Sequence, residues 1–203
     1  MTRKKAAPGR DKLLETAGAL FAAAGYDGVS TKQLASEAGL SIGALYHHFP
    51  TKEAAYQAAV RWGVSRIPAP DLSSFDGDPM ARLEAQVAWF CSVIAAGSVE
   101  SQLLRLELLD PHLDARLSDI EPFAASFERF QELLAALAPD ADAELMLAAI
   151  VSLGFGFSRL GGLRRQVPQL ATRLRDPGDI AQMVMRLIFA AEPGERRAAR
   201  PTS

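Results

Sequence analysis

The stretch that decides the fold lies between positions 29 and 53, and it reads VSTKQLASEAGLSIGALYHHFPTKE. Ser30 and Ser41 each precede a helix-compatible run, and serine is favoured at an N-cap because its hydroxyl accepts from a backbone N–H two or three residues later. Gly39 suits the left-handed conformation that ends many helices. The pattern predicts two short helices joined by a tight turn, Thr31–Ala38 and Ile42–Phe49.

Longer helices are predicted on both sides of this pair. Upstream, apolar residues recur every three or four positions between Asp11 and Ala24, which is typical of an amphipathic helix. Downstream, Pro50 ends the second short helix, and Thr51 caps a helix that continues to about Arg66. Short helices joined through a glycine turn are typical of a helix-turn-helix, the motif that places its second helix in the major groove of DNA.

The rest of the chain predicts a second helical domain. Residues 67–77 contain two prolines and no helical period, so they are interpreted as a linker. Helices are predicted beyond it at about 78–96, 100–109, 121–137, 141–160 and 177–191. The predicted fold is therefore all-α with about nine helices: a three-helix DNA-binding domain in residues 1–66, with a basic arm over 1–10, and a ligand-binding and dimerisation domain in residues 78–203.

Charge is distributed unevenly along the chain. Residues 1–66 hold nine basic and five acidic side chains, a net charge of +4, whereas the remainder carries −6. A basic segment on an acidic body favours a polyanionic partner for that segment, although chance scatter of surface charge also accounts for it.

Other features limit the class of protein. Cys91 is the single cysteine, so an internal disulfide is excluded and a cytoplasmic location is expected. The basic N-terminus lacks the apolar core of a signal peptide, and no apolar run is long enough for a membrane span. The sequence carries no nucleophile elbow, phosphate loop or dinucleotide fingerprint, so an enzyme is not expected and no cofactor is predicted.

The second short helix has the properties that a DNA-reading helix needs. Leu45 and Phe49, four residues apart, are expected to hold it against the bundle. Gly43 and Ala44 keep its leading end thin enough for close approach to bases, while polar side chains follow at its far end. The full set of candidate DNA contacts is Ser30, Thr31, Lys32, Ser41, Ile42, Gly43, Ala44, Tyr46, His47, His48 and Lys52.

Residues 11–66 resemble the DNA-binding domain of the TetR (tetracycline-repressor-like) family of bacterial transcription regulators. The resemblance rests on Leu20-Phe21, Gly25-Tyr26, Ser30-Thr31 and Ala38-Gly39-Leu40-Ser41, and most of all on the run from Gly43 to Glu53. It implies that Thr31 and Lys32 contact phosphate, that Ile42, Gly43 and Ala44 face bases, and that Tyr46, His48 and Lys52 hold the DNA backbone. Position 42 is often polar in this family, so Ile42 points to apolar contact or indirect readout.

The histidine pair admits a metal-site interpretation as well. His47 and His48 are adjacent, however, and neighbouring helical residues diverge by about 100° around the axis, so they do not easily share one ion. With His112 as the only other histidine, no metal site is predicted.

For the C-terminal domain, the resemblance implies a small-molecule pocket and a dimer interface. The pocket candidates are bulky apolar residues and one carboxylate: Trp62, Trp89, Phe90, Glu107, Phe123, Phe127 and Phe157. Each apolar candidate also suits an ordinary core, and Glu107 also suits a surface salt bridge. The dimer candidates lie on the last two long helices: Leu145, Ala149, Ser152, Leu153, Gly156, Ile180, Met183, Val184, Leu187 and Ile188.

The sequence thus predicts a homodimeric, ligand-responsive repressor that leaves its double-stranded DNA operator when a small, largely apolar effector binds. Two alternatives remain open at this stage. One is a helical ligand-binding protein or enzyme with a degenerate helix-turn-helix, and the other is a protein that grips another protein with this domain.

Overall fold

A computed structural model describes residues 8–71, 78–109, 115–121, 123–167, 169, 172 and 176–189, and within these ranges the chain is helical, without a strand. A short 3-10 turn spans Leu117–Asp119. The α-helices are α1 (Pro8–Ala24), α2 (Thr31–Glu37), α3 (Ile42–His48), α4 (Lys52–Val64), α5 (Pro79–Ala95), α6 (Val99–Leu109), α7 (Phe123–Leu137), α8 (Ala143–Ser158), α9 (Gly161–Gln166) and α10 (Pro177–Phe189).

The all-helical prediction is confirmed, and the predicted helices begin and end within a few residues of the observed ones. One short helix, α9, lies in an Arg- and Gly-containing segment for which no helix was predicted. The predicted linker has no helix over residues 67–71, while residues 72–77 lie outside the described part, as do most of the basic arm and the tail from residue 190.

Side-chain caps fix the starts of three helices around the turn. The backbone N–H of Gln33 donates to Oγ of Ser30 at 3.1 Å, and that of Ala44 donates to Oγ of Ser41 at 3.1 Å. Thr51 caps α4 in the same way through the N–H of Ala54. Gly39 has a φ of 69° and allows the chain to turn between α2 and α3.

The chain forms two compact units that do not follow the sequence order. The first unit consists of the described residues up to Ala69 together with those between Ala96 and Phe127. The second unit consists of those between Pro70 and Ala95 together with those from Glu128 onward. The predicted division into functional domains at residues 66 and 78 stays a prediction, and α6 packs with the N-terminal helices.

In the first unit, α1, α4 and α6 pack on one another around a core that includes Phe21, Tyr56 and Leu103, all fully buried. Helices α4 and α6 approach closely at Gly63, where an added Cβ would lie 2.8 Å from Cδ1 of Leu103. Helix α2 packs mainly on α3, and it contacts α1 as well.

In the second unit, α5, α8 and α10 pack together. The ring of Phe90 meets that of Phe155 edge to face at 5.7 Å, and Gly154 leaves room for the Phe90 ring. Cys91 is buried beside this contact, and burial raises the pKa of its thiol to about 11.

No single helix among the described residues is long and apolar enough to cross a membrane; Pro79–Ala95 and Val99–Leu109 pass that test only when counted together.

Candidate nucleic-acid interface

Helix α3 has one buried side and one exposed side. Leu45 and Phe49 are buried, as the sequence predicts, and they attach the helix to the first unit. Ile42 and Tyr46, which neighbour them around the helix, are 45% and 46% exposed, so these large side chains are partly in solvent. Three further candidates are also exposed, Gly43, His47 and His48, and Ala44 is half-buried. The helix thus presents a continuous outward surface.

The two serines among the candidates are structural caps as well as possible contacts. Oγ of Ser30 and Oγ of Ser41 each accept a backbone N–H, which uses one lone pair of each oxygen. Both residues are exposed, and capping leaves the hydroxyl hydrogen available to donate to a phosphate oxygen. Next to Ser30, Thr31 is half-buried and Lys32 is exposed at the start of α2.

Lys52 is held in place by an aromatic ring. Its Nζ lies 4.2 Å from the ring centroid of Tyr26, a residue in the turn that follows α1. A cation over an aromatic face is attracted by the ring quadrupole, and the ammonium still carries donors that point away from the ring. Burial raises the pKa of Tyr26, and the carboxylates of Glu53 and Asp27 raise it further, so the ring stays uncharged at neutral pH.

Tyr26 belongs to an aromatic cluster that continues into the core. Its ring meets that of Tyr56 edge to face at 5.4 Å, and Tyr56 meets Phe21 in the same way at 5.2 Å. The hydroxyl of Tyr56 donates to Oε2 of Glu107 on α6 at 3.1 Å. The backbone N–H of Ala115 donates to the other oxygen, Oε1, of the same carboxylate. Glu107 therefore joins α4, α6 and the segment after α6.

This arrangement changes the interpretation of Glu107. Both carboxylate oxygens accept hydrogen bonds from within the first unit, whereas the sequence suggested a polar anchor for a ligand or a surface salt bridge. The ion pairs nearby involve other residues: Arg61 with Asp119 at 3.5 Å and Arg66 with Glu100 at 3.6 Å.

The remaining pocket candidates do not form one described cluster. Trp62, Phe123 and Phe127 belong to the first unit, and Trp89, Phe90 and Phe157 belong to the second. Phe90 is buried in the core against Phe155. A surface cavity of about 400 Å³ in the second unit is lined by none of these; its lining is Met80, Glu84, Gln182, Met185, Arg186 and Phe189. The aromatic pocket stays a prediction.

The dimer candidates on α8 and α10 fall into two groups. Leu145 and Leu187 are 69% and 50% exposed, and Ser152 and Gly156 are exposed too. In contrast, Ile180 and Val184 are buried in the core of the second unit, so a partner cannot contact them in this conformation. The half-buried members are Ala149, Leu153, Met183 and Ile188.

Sequence reasoning missed the supporting aromatic residues. The sequence pattern assigns no supporting role to Tyr26 or Tyr56. In the structure, however, the Tyr26 ring lies under the ammonium of Lys52, and the Tyr56 hydroxyl donates to Glu107. The two tyrosines on either side of α2 and α3 are visible in the sequence. Their contacts, however, join residues up to 51 positions apart, so no local pattern reveals them. Within the described ranges, no group of three or more metal-binding side chains comes together.

Residues 13–59 match the family described as "Bacterial regulatory proteins, tetR family". The HTH-type transcriptional repressor AcnR of Corynebacterium efficiens is similar to the chain, with 36% identity over 66 residues, or 32% of this chain and 35% of AcnR. The chain thus spans about a third of the length of the curated relatives that it matches. The family is described as regulatory and this relative as a transcriptional repressor, in agreement with the predicted DNA-binding regulator.

Solved structures resemble the chain over nearly its whole length. A TetR-family regulator from Shewanella sp. PV-4 has a TM-score of 0.66 at 20% identity and covers 91% of this chain and 98% of its own. FadR from Bacillus subtilis, solved in complex with stearoyl-CoA, has a TM-score of 0.63 at 16% identity over 90% and 99%. At such identities the likeness shows the fold alone. The family match over residues 13–59, together with the capped helix pair that these residues form, makes this segment similar to the DNA-binding domain of the TetR family of bacterial regulatory proteins.

Proposed function

We propose that this chain regulates transcription as a homodimer that binds double-stranded DNA through α3 and releases it when a small, largely apolar effector binds. The observation that carries the proposal is the two-sided character of α3. Leu45 and Phe49 fix the helix to the core, while Ile42 and Tyr46, which neighbour them around the helix, are 45% and 46% exposed. Gly43 and His47, on the side away from the core, are exposed as well.

The dimensions of α3 suit the major groove. An α-helix with its side chains is about 10–12 Å in diameter, and the seven residues of α3 make it about 10 Å long. The major groove of B-form DNA is about 12 Å wide and admits one helix whose exposed side is slim. Gly43 and Ala44 make the leading end of α3 the narrowest part of this surface.

Polar and basic residues flank α3 where the DNA backbone would pass. Lys32 is exposed at the start of α2, and Lys52 begins α4 with its ammonium held over Tyr26. Contacts to phosphate position a protein on DNA without reading the sequence, and they make affinity depend on salt. Because Lys52 is already positioned by the ring, less side-chain freedom is lost when it binds a phosphate.

Repression and an effector are proposed from what the related proteins do. AcnR is a transcriptional repressor, and FadR was solved with stearoyl-CoA bound. By analogy, this chain represses a promoter in the cytoplasm, and an apolar effector favours a conformation that binds DNA less well. A large response requires that the effector bind the two conformations with affinities that differ by several kcal/mol, about 5.5 kcal/mol for a shift from 1:99 to 99:1.

Dimerisation is proposed through the exposed parts of α8 and α10. Leu145 and Leu187 are large apolar side chains in solvent on neighbouring helices of the second unit. A second copy that buried them symmetrically would form an isologous interface. Two α3 helices would then be placed about 34–36 Å apart, one turn of the DNA helix.

The test uses a duplex selected from a randomised library by the full-length protein. Its affinity is measured over a salt series for the parent and for the double variant Tyr46→Ala, Lys52→Ala. The double variant is expected to bind at least tenfold more weakly, with a shallower salt dependence by about one phosphate contact. Arg165→Ala, which removes an exposed charge from α9, is the matched control and is expected to bind like the parent.

Equal binding by the double variant and the parent would show that this surface of α3 and α4 is not the DNA contact. Failure of the parent to select any duplex would favour the alternative in which the helix-turn-helix no longer binds DNA.

A further inference from the structure

Ile42 stands at the leading end of α3 and is not among the buried core residues. It is the first residue of the helix and is 45% exposed, while Leu45, three residues later, is 2% exposed. Tyr46 lies one turn after Ile42 on the same side and is exposed to the same degree. The first large side chain on the outward surface is therefore a branched aliphatic group.

Gly43, next to Ile42, is not required by the fold of this protein. A Cβ added there would meet only Oγ of Ser41, at 4.0 Å, and its φ is not in the left-handed region. Glycine within a helix is less stable than alanine by about 0.5–1 kcal/mol. Neither packing nor backbone conformation requires the glycine, and its missing side chain leaves room for another molecule to approach this end of α3 closely.

The chemistry of Ile42 limits what it can recognise in a groove. Its side chain has no hydrogen-bond donor or acceptor, so it does not read the polar edges of bases. In the major groove the apolar group on a base edge is the C5 methyl of thymine. Gly43 and the small Ala44 allow this end of α3 to come close enough for a methyl to be covered.

We propose that Ile42 is a specificity-determining residue that selects thymine in each half-site through van der Waals contact with its C5 methyl group. This inference rests on the proposed DNA-binding function and adds to it the base that α3 selects and the side chain that selects it.

The experiment replaces thymine by deoxyuracil, which keeps all of the hydrogen-bonding groups of thymine and lacks only its C5 methyl group. The probe is the duplex that the full-length protein selects from a randomised library, and each thymine is exchanged in turn. One buried methyl contributes about 0.8 kcal/mol, so the parent is expected to lose about fourfold in affinity at one thymine position of each half-site. The other exchanges are expected to have little effect.

The variant Ile42→Ala separates the methyl contact from effects on DNA shape. It is expected to bind the thymine duplex several-fold more weakly than the parent and to bind thymine and deoxyuracil duplexes equally, since the partner of the methyl is gone. Leu163→Ala, which truncates a side chain of the same 45% exposure on α9, is the matched control and is expected to keep the parent's preference for thymine.

Two results would overturn the inference while leaving DNA binding intact. One is that the parent binds every deoxyuracil-substituted duplex with the same affinity as the thymine duplex. The other is a deoxyuracil loss in Ile42→Ala equal to that in the parent, which would assign the preference to DNA shape or to another residue. If the parent shows no salt-dependent binding to any duplex, the proposed function is wrong, and this inference is wrong with it.

Discussion

Gly43 is a residue at which the free energy of unfolding and the affinity for DNA are expected to change in opposite directions. Space around its Cα is open, so Gly43→Ala adds a methyl without a clash and reduces the freedom of the unfolded chain. We expect the free energy of unfolding to rise by about 0.5–1 kcal/mol while affinity for the selected duplex falls. Urea unfolding measures the first quantity, and a duplex titration measures the second.

Gly162→Ala provides the comparison for Gly43. Gly162 is also in a short helix, and an added Cβ would meet only the guanidinium of Arg165 at 3.9 Å. This variant is expected to keep the parental affinity for DNA. If Gly43→Ala also keeps it, close approach of DNA is not the reason for glycine at position 43.

The single thiol gives the protein an alkaline dependence of stability. Burial raises the pKa of Cys91 from 9.0 to about 11 in the folded protein. The unfolded chain therefore releases this proton first, so the thiol's contribution to stability is complete below pH 9 and is lost as pH rises through 11. The loss over that range is about 2–3 kcal/mol.

Comparison with Cys91→Ala isolates the thiol from other groups that titrate at high pH. The difference in unfolding free energy between parent and variant, measured by urea unfolding at pH 8, 9, 10 and 11, is expected to shift by that amount in favour of the variant. A constant difference across this range would show that the thiol titrates alike in both states.

At the scale of the elements, α4 is tied to α6 by one carboxylate. The hydroxyl of Tyr56 and the N–H of Ala115 both donate to Glu107, and Tyr56 is fully buried. Tyr56→Phe keeps the packing and removes one donor, so we expect the free energy of unfolding to fall by about 1–2 kcal/mol. Glu107→Gln is expected to destabilise by a similar amount.

The coupling between these two residues is the sharper measurement. The double variant Tyr56→Phe, Glu107→Gln is expected to be destabilised by clearly less than the sum of the single variants, since both remove the same hydrogen bond. Tyr46→Phe, an exposed tyrosine change on α3, should add to Glu107→Gln without coupling. Strict additivity for Tyr56 and Glu107 would mean that the hydrogen bond contributes nothing to stability.

The starts of the helices were predictable because their signals are local. Ser30, Ser41 and Thr51 each accept from an N–H three residues ahead, and three-residue spacing is visible in a sequence. Contacts between distant residues were not predictable in the same way. Lys52 over Tyr26 and Tyr56 with Glu107 depend on how helices pack, and the apolar period of each helix does not specify its partner.

For the candidate site, the burial of Leu45 and Phe49 followed directly from helical spacing, since residues four apart share one side of a helix. The same reasoning was weaker on α10, where an apolar stripe suits either a core or an interface. Ile180 and Val184 turned out to be in the core, whereas Leu187 is in solvent. Only the packing of α10 on α5 and α8 distinguishes the two outcomes.

At the scale of the whole molecule, the exposed leucines of α8 and α10 predict association. We expect Leu187→Asp to convert a dimer into a monomer, because an unpaired carboxylate would be buried at an interface between copies. Leu187 is half exposed, so the fold of one copy should not change. Sedimentation equilibrium measures the mass, and the duplex titration should show weaker binding because two linked half-sites are no longer engaged together.

Leu163→Asp, at an exposed leucine outside α8 and α10, is expected to remain a dimer. A monomeric parent, or a dimer that Leu187→Asp leaves intact, would remove α10 from the proposed interface.

The first unit is built from two separate segments of the chain, and this limits which recombination events between related genes keep it intact. Helices α1 and α4 pack against α6, although residues 70–95 between them belong to the second unit. A genetic crossover near codon 66 would combine α4 of one protein with α6 of a related one. The close contact between Gly63 and Leu103 would then join residues from two different sequences. Recombination among related genes is therefore expected to preserve the fold of the first unit when α6 is exchanged together with α1 and α4. If α3 contacts DNA as proposed, new operator preferences should arise more readily by point mutation within α3 than by exchange of the N-terminal segment.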